Sequence, residues 1–124
     1  MLLNCLLVGA GGFVGSIARY LLGLLSVTDT AAGSFPVATF GVNVAGAFLI
    51  GFVMALFTKG TGMSPQLLLF LKVGMCGGFT TFSTFSLESL SLIESGHVGM
   101  AAVYMAASVA ACLVSVALGS WVAR

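Results

Sequence analysis

Val73-Gly-Met-Cys-Gly-Gly-Phe-Thr-Thr-Phe-Ser-Thr-Phe-Ser-Leu87 lies inside a long apolar run and is nevertheless a poor helix. Gly74, Gly77 and Gly78 each cost about 1 kcal/mol relative to Ala in a helix interior. Thr80, Thr81, Ser83, Thr84 and Ser86 place hydroxyls where a membrane helix normally carries Leu. Phe79, Phe82 and Phe85 punctuate them at every third position. Irregular backbone at membrane depth is tolerated only where it is buried in protein or lines a wet cavity. The stretch is therefore expected to break a helix and to face a pathway, a bound ion or a second subunit.

The rest of the chain defines the solvent around it. Of 124 residues, 60% are hydrophobic and 6% charged, with a mean hydropathy of +1.21. So few charges cannot cover the surface of a soluble domain, and the chain reads as an integral membrane protein. A net charge of +1 offers no basic field for nucleic acid. Cys5, Cys76 and Cys112 are scattered through apolar segments far from His97, without metal-ligand spacing, and read as small core hydrophobes.

Four apolar runs are long enough to span a bilayer, which takes about 20 residues. They cover 2–25, 36–58, 65–93 and 98–122, a single four-helix domain. The first lacks a basic segment ahead of it and reads as a retained helix. Pro36 and Pro65 open the second and third, where Pro is tolerated in a first turn. A polar loop, Ser26 to Ser34 with Asp29, joins the first two runs. The third run would reach about 43 Å as one straight helix, against about 30 Å of hydrocarbon. A break at Gly77–Thr81 accounts for both its length and its composition.

Gly11-x-x-x-Gly15, the small residues of the second run and the alanines of the fourth are close-packing patterns. They favour tight oligomerisation. With an even number of spans, both termini and Lys59 share one side and Arg19 lies near the other. Lys/Arg counting favours cytoplasmic termini by one or two charges. Such a small bias leaves open both a single orientation and insertion in both, the second of which permits an antiparallel homodimer.

Several polar residues lie at membrane depth. Asn43 needs partners and either bridges helices or lines a pathway. Phe82 and Phe85 share a helical face. Tyr104, Ser108, Cys112 and Ser115 form one stripe on the fourth run, a hydrogen-bonded seam or a track for a polar solute. Glu88 is an intramembrane or near-interface acid. No nucleophile–base set, metal motif or phosphate loop can be assembled, so no enzyme is expected.

Gly77-Gly78-Phe79-Thr80-Thr81-Phe82-Ser83-Thr84-Phe85 resembles the signature of the CrcB/Fluc fluoride channels. Gly41-x-Asn43-x-x-Gly46-x-Phe48-x-x-Gly51 and Gly11-Gly12-x-x-Gly15-x-x-x-Arg19-Tyr20 resemble that family's second- and first-helix patterns. The resemblance implies an all-α, antiparallel dual-topology homodimer with two fluoride pores. It also implies a structural sodium ion on the dimer axis, held by the carbonyls of Gly77 and Thr80. The implied pore set is Asn43, Phe82, Phe85, Tyr104 and Ser108, together with Thr39, Ser83, Thr84 and Ser115, with Arg19 as a vestibule charge.

These residue types suit the task. Stripping fluoride of water in low dielectric without replacement contacts would cost tens of kcal/mol. Hydroxyl and amide donors, and the positive edges of phenyl rings, replace that water in weak serial steps. The expected function is passive fluoride export from the cytoplasm of a bacterial cell through its inner membrane, protecting against fluoride toxicity. A proton-coupled multidrug exporter of the small four-helix kind is the alternative. It needs an acid in the first helix, and Leu2 to Leu25 has none. A non-transporting membrane scaffold is a further alternative, in which the Phe/Thr run only packs.

Overall fold

The structure, a computed structural model, describes residues 1–25 and 32–124. Asp29 and most of the expected loop Ser26 to Ser34 lie outside the described residues. Among the described residues, four helical stretches are long and apolar enough to cross a membrane: Leu2–Leu25, Val37–Thr58, Pro65–Glu94 and Val98–Val122. They match the expected spans to within one residue. Pro36 ends up just ahead of its helix. Pro65 opens the third span behind Ser64, whose side chain accepts from the Leu67 amide at 3.1 Å. Two exits use the same device. Gly60 and Gly96 take the left-handed conformation, at φ 76° and 85°. After the latter, His97 N–H reaches Leu92 C=O at 2.8 Å and Gly96 N–H reaches Ile93 C=O at 3.0 Å. The last carbonyls of the helix are thus satisfied without lengthening it.

The third span consists of two pieces. The first begins as Pro65–Leu68, widens into a π-helical segment Leu69–Cys76 and closes with one turn, Gly77–Phe79. The second is Phe82–Glu94. Between them Thr80 (φ −81°, ψ 158°) and Thr81 (φ −150°, ψ 116°) are extended. The break therefore falls at the end of the expected stretch, and Gly77 and Gly78 stay helical.

The glycines serve close approach instead. A Cβ on Gly11 would strike Phe70 O, and one on Gly15 would strike Met75 O. From the other side, a Cβ on Gly78 would lie 2.6 Å from Gly12 O, and one on Gly74 would lie 2.8 Å from Val8 O. First helix and π segment thus meet backbone to backbone. The second and fourth helices meet the same way, through Gly51 against Val116 O and Gly119 against Phe48 O. Ser115 adds a bond across that pair, donating to Val44 C=O at 2.8 Å.

An aromatic cluster closes the end nearest Leu92. Tyr104 is fully buried with Ala101 and Leu92. Its ring lies 5.1 Å from Phe85 and 5.3 Å from Phe35, and Phe85 lies 5.4 Å from Phe82. Edge-to-face and tilted pairs at these spacings are favourable for aromatic rings. They fix the second piece of the third span against the fourth helix.

Candidate functional site at the helix break

Breaking a helix at membrane depth exposes main-chain polar groups that lipid cannot satisfy. Asn43, on the second helix, answers those of Thr81. Its Nδ2 donates to Thr81 C=O at 3.0 Å, and its Oδ1 accepts from Thr81 N–H at 2.8 Å. Of the two expectations for Asn43, bridging is what the geometry shows, and the residue also lines the groove described below. Gly46, one turn on, lets Thr80 approach: a Cβ there would strike the Thr80 methyl.

Thr81 then starts the second piece. Its Oγ1 accepts from Thr84 N–H at 3.2 Å and donates to Thr84 Oγ1 at 3.0 Å. Ser83 Oγ lies 3.3 Å from the same oxygen. Two amide donors are diverted by this arrangement. In a continuous α-helix Thr81 N–H would answer Gly77 C=O, and Thr84 N–H would answer Thr80 C=O. Here they go to Asn43 and to Thr81 Oγ1. Thr80 N–H and Oγ1 both go back to Cys76 C=O, at 3.0 and 2.9 Å. The carbonyls of Gly77 and Thr80 thus lose their helical donors, and oxygen donors of this kind fit a hard cation. Both residues line the same groove.

That groove has a volume of about 380 Å³ and runs between the second, third and fourth helices. It brings together Asn43, Phe82, Phe85 and Ser108 of the expected pore set. Ser108 Oγ is buried and, among the described residues, has no hydrogen-bond partner. Phe82 is the opposite case, a residue 77% exposed. In a membrane protein that surface meets lipid or another chain.

The remaining expected residues are placed elsewhere. Thr39 and Thr84 line a smaller pocket of about 190 Å³ with Arg19 and Thr81. Thr39 Oγ1 and Tyr104 O–H donate to the two oxygens of Glu88, each at 2.7 Å. Ser115 spends its hydroxyl on Val44. Ser83 is exposed beside Thr81.

Two roles escaped the sequence reading. Thr81 is the hub of the break, and Glu88 is the common acceptor for Thr39 and Tyr104. A signal for both was present. Thr39 and Asn43 are four apart on one helix, and Thr81, Thr84 and Glu88 follow at steps of three and four on another. Two polar faces of matching pitch are the mark of a hydrogen-bonded seam.

Fold and site define a small four-span membrane protein whose third span is interrupted by an amide-clamped, hydroxyl-lined break opening onto a ring-lined groove. Residues 6–120 match the family described as CrcB-like protein, Camphor Resistance (CrcB). The chain belongs to that family. It is 46% identical over 94% of its length to a fluoride-specific ion channel FluC of Chlorobium luteolum, covering 89% of that protein. With the FluC of Chlorobaculum tepidum identity is 51%, over 90% of each chain. With that of Agrobacterium fabrum it is 42%, over 95% of this chain and 94% of the relative.

Proposed function

We infer that this chain is a fluoride-specific ion channel of a bacterial membrane, not an enzyme. Family membership and the names of its relatives support this over a proton-coupled exporter or a scaffold. The observation that carries the residue assignment is the convergence of Phe82, Phe85, Ser108 and Asn43 on one groove at the break. Conduction is passive and runs outward across the inner membrane, down the fluoride gradient.

Within the groove, the Ser108 hydroxyl is free to donate to an anion, and the ring edges of Phe82 and Phe85 present positive charge density. Asn43 spends one amide hydrogen on Thr81 and keeps one. Thr39 and Tyr104 take a different part, because their protons already point at Glu88. They hold that carboxylate away from the groove instead of solvating fluoride. Ser115 acts as a helix tie. Ser83 and Thr84 stand at the edge of the Thr81 hub, and Arg19 raises anion concentration at the smaller pocket.

The functional unit is an antiparallel homodimer of chains inserted in both orientations. Its support is the small Lys/Arg bias and the exposed Phe82 ring. A sodium ion on the two-fold axis would meet the carbonyls of Gly77 and Thr80 and supply positive potential to both pores. A fluoride electrode following efflux from proteoliposomes tests the activity, and no efflux above empty liposomes would refute it. Labelling an engineered terminal Cys from both faces of the membrane tests dual topology, and a single orientation would remove the antiparallel dimer. Flux unchanged in sodium-free medium, with an empty axial site in a crystal, would remove the cation alone.

A further inference from the structure

The groove also contains a full positive charge, on Lys72. This residue sits in the π-helical segment, about 10 Å inside the third span from Pro65. An ionisable side chain at that depth is costly and marks either a paired charge or an ion pathway. Lys72 is half-buried. It lines the same groove as Phe82, Phe85 and Ser108. Among the described residues it has no ion-pair partner. Its segment makes the wider π turn, a form that recurs at functional sites and re-aims the side chains within it.

Register places Lys72 at the far end of the groove from the rings. Successive spans run antiparallel and Asn43 meets Thr81. Ile50, two turns beyond Asn43, is therefore level with the turns preceding Thr81, where Lys72 and Cys76 lie. Val116 is likewise about 12 Å along the fourth helix from Ser108. The groove thus runs from a cationic mouth on the side of the Lys59–Ser64 loop to the rings and the free Ser108 hydroxyl.

We propose that Lys72 is the residue that gathers fluoride at this mouth and feeds it toward Ser108. This rests on the groove being the fluoride path. An ammonium on a flexible stem keeps its head in water while its methylenes lie against apolar wall. It is a strongly hydrated point charge, suited to attracting an anion that still holds its water rather than to trapping a bare one. A charge lining a low-dielectric cleft raises the local counter-ion concentration, and added salt screens it.

The test is fluoride current in planar bilayers at low and at saturating fluoride, for wild type and for Lys72→Gln, Lys72→Arg and Lys72→Glu. The Gln variant should lose about tenfold at low fluoride, in line with electrostatic focusing, and recover toward wild type at saturation. The Arg variant should stay near wild type, and the Glu variant should fall below Gln. Raising ionic strength with an impermeant salt should lower the wild-type current at low fluoride and leave the Gln variant nearly unchanged. Lys72→Met serves as a second neutral variant where Gln does not assemble. Wild-type current in the neutral variants at low fluoride would overturn the proposal and make Lys72 a headgroup anchor. An equal fractional loss at every fluoride concentration would also overturn it, since packing alone gives that pattern. Absence of fluoride current in the unmutated protein would refute the channel reading itself, a result distinguishable from either.

Discussion

The two pieces of the third span are held by opposite means. The first, 65–79, meets the first helix backbone to backbone through Gly11, Gly15, Gly74 and Gly78. The second, Phe82–Glu94, is held by side chains: Asn43 at its start, Thr39 and Tyr104 at Glu88, and rings on its flank. Backbone contact has no rotamers to adjust, so the first piece is a rigid platform. Side chains can turn and re-pair, so the second piece is the adaptable one, and it brings the rings of Phe82 and Phe85 to the groove. A break between them lets one span do both.

The comparison is most easily broken at the glycines. Gly78→Leu should abolish folded protein in detergent, because its Cβ alone would sit 2.6 Å from a backbone oxygen. Gly78→Ala should already cost about 3 kcal/mol, the upper part of the usual overpacking range. Thermal unfolding of the purified variant checks this, and a midpoint equal to wild type would dissolve the platform account.

Asn43→Ala should cost next most. It removes both bonds to Thr81 and leaves buried main-chain groups unanswered, at about 1–3 kcal/mol for each orphaned group. Asn43→Gln keeps both a donor and an acceptor for Thr81 on a longer arm, so it should be milder. Equal unfolding midpoints for the two variants would argue against a two-point clamp.

Glu88→Gln should fall below these in its effect on stability. The amide keeps one acceptor for Thr39 or Tyr104, and about 1.5–3 kcal/mol is the usual worth of a hydrogen bond to a charged group. Thermal unfolding of the purified variant checks this, and a loss as large as that of Asn43→Ala would put Glu88 on a par with the clamp.

The smallest effect belongs to Gly77→Ala. Its Cβ would meet nothing nearer than Lys72 O at 4.0 Å, and Ala gains about 1 kcal/mol of helix propensity. Stability should hold or rise slightly, in contrast to Gly78→Ala one residue away. A collapse like that of Gly78 would mean the two glycines do the same job. Thr80→Ser should be equally mild, because the main-chain carbonyl and the hydroxyl bond to Cys76 both survive.

Much of this was legible in the residues. Span positions followed from run lengths and from Pro36 and Pro65, because hydrophobic thickness leaves few choices. The break was legible from excess length and hydroxyl density. The part assigned to glycine was misread: propensity suggested that Gly77 and Gly78 break the helix, while tertiary contact uses Gly78 for close approach and leaves the break to Thr80 and Thr81. The π segment was not legible, since nothing in Leu69–Cys76 distinguishes a wider turn from an α turn before the first helix is packed on it. Phe82 and Phe85 were legible from the third-helix pattern, Asn43 from the second-helix pattern and Ser108 from the polar stripe, and the resemblance joined them into one set. Tyr104, Thr39 and Ser115 joined the set through the family resemblance, and the structure turns their hydroxyls to Glu88 and Val44. Direction was missing, because composition records that a hydroxyl is present and the fold decides what it donates to.

The central claim is that the groove at the break conducts fluoride past Phe82 and Phe85. Fluoride current in voltage-clamped bilayers, recorded for wild type, Phe82→Ile and Phe85→Ile at matched amounts of folded protein, tests it most directly. Ile keeps apolar bulk and removes the ring edge, so both variants should fold. The wild-type current should reverse at the fluoride equilibrium potential, independent of pH, and each variant should lose at least about 90% of it, a change of some 1.4 kcal/mol in the barrier. Wild-type current in both variants, or a reversal potential that follows pH at fixed fluoride, would contradict the account.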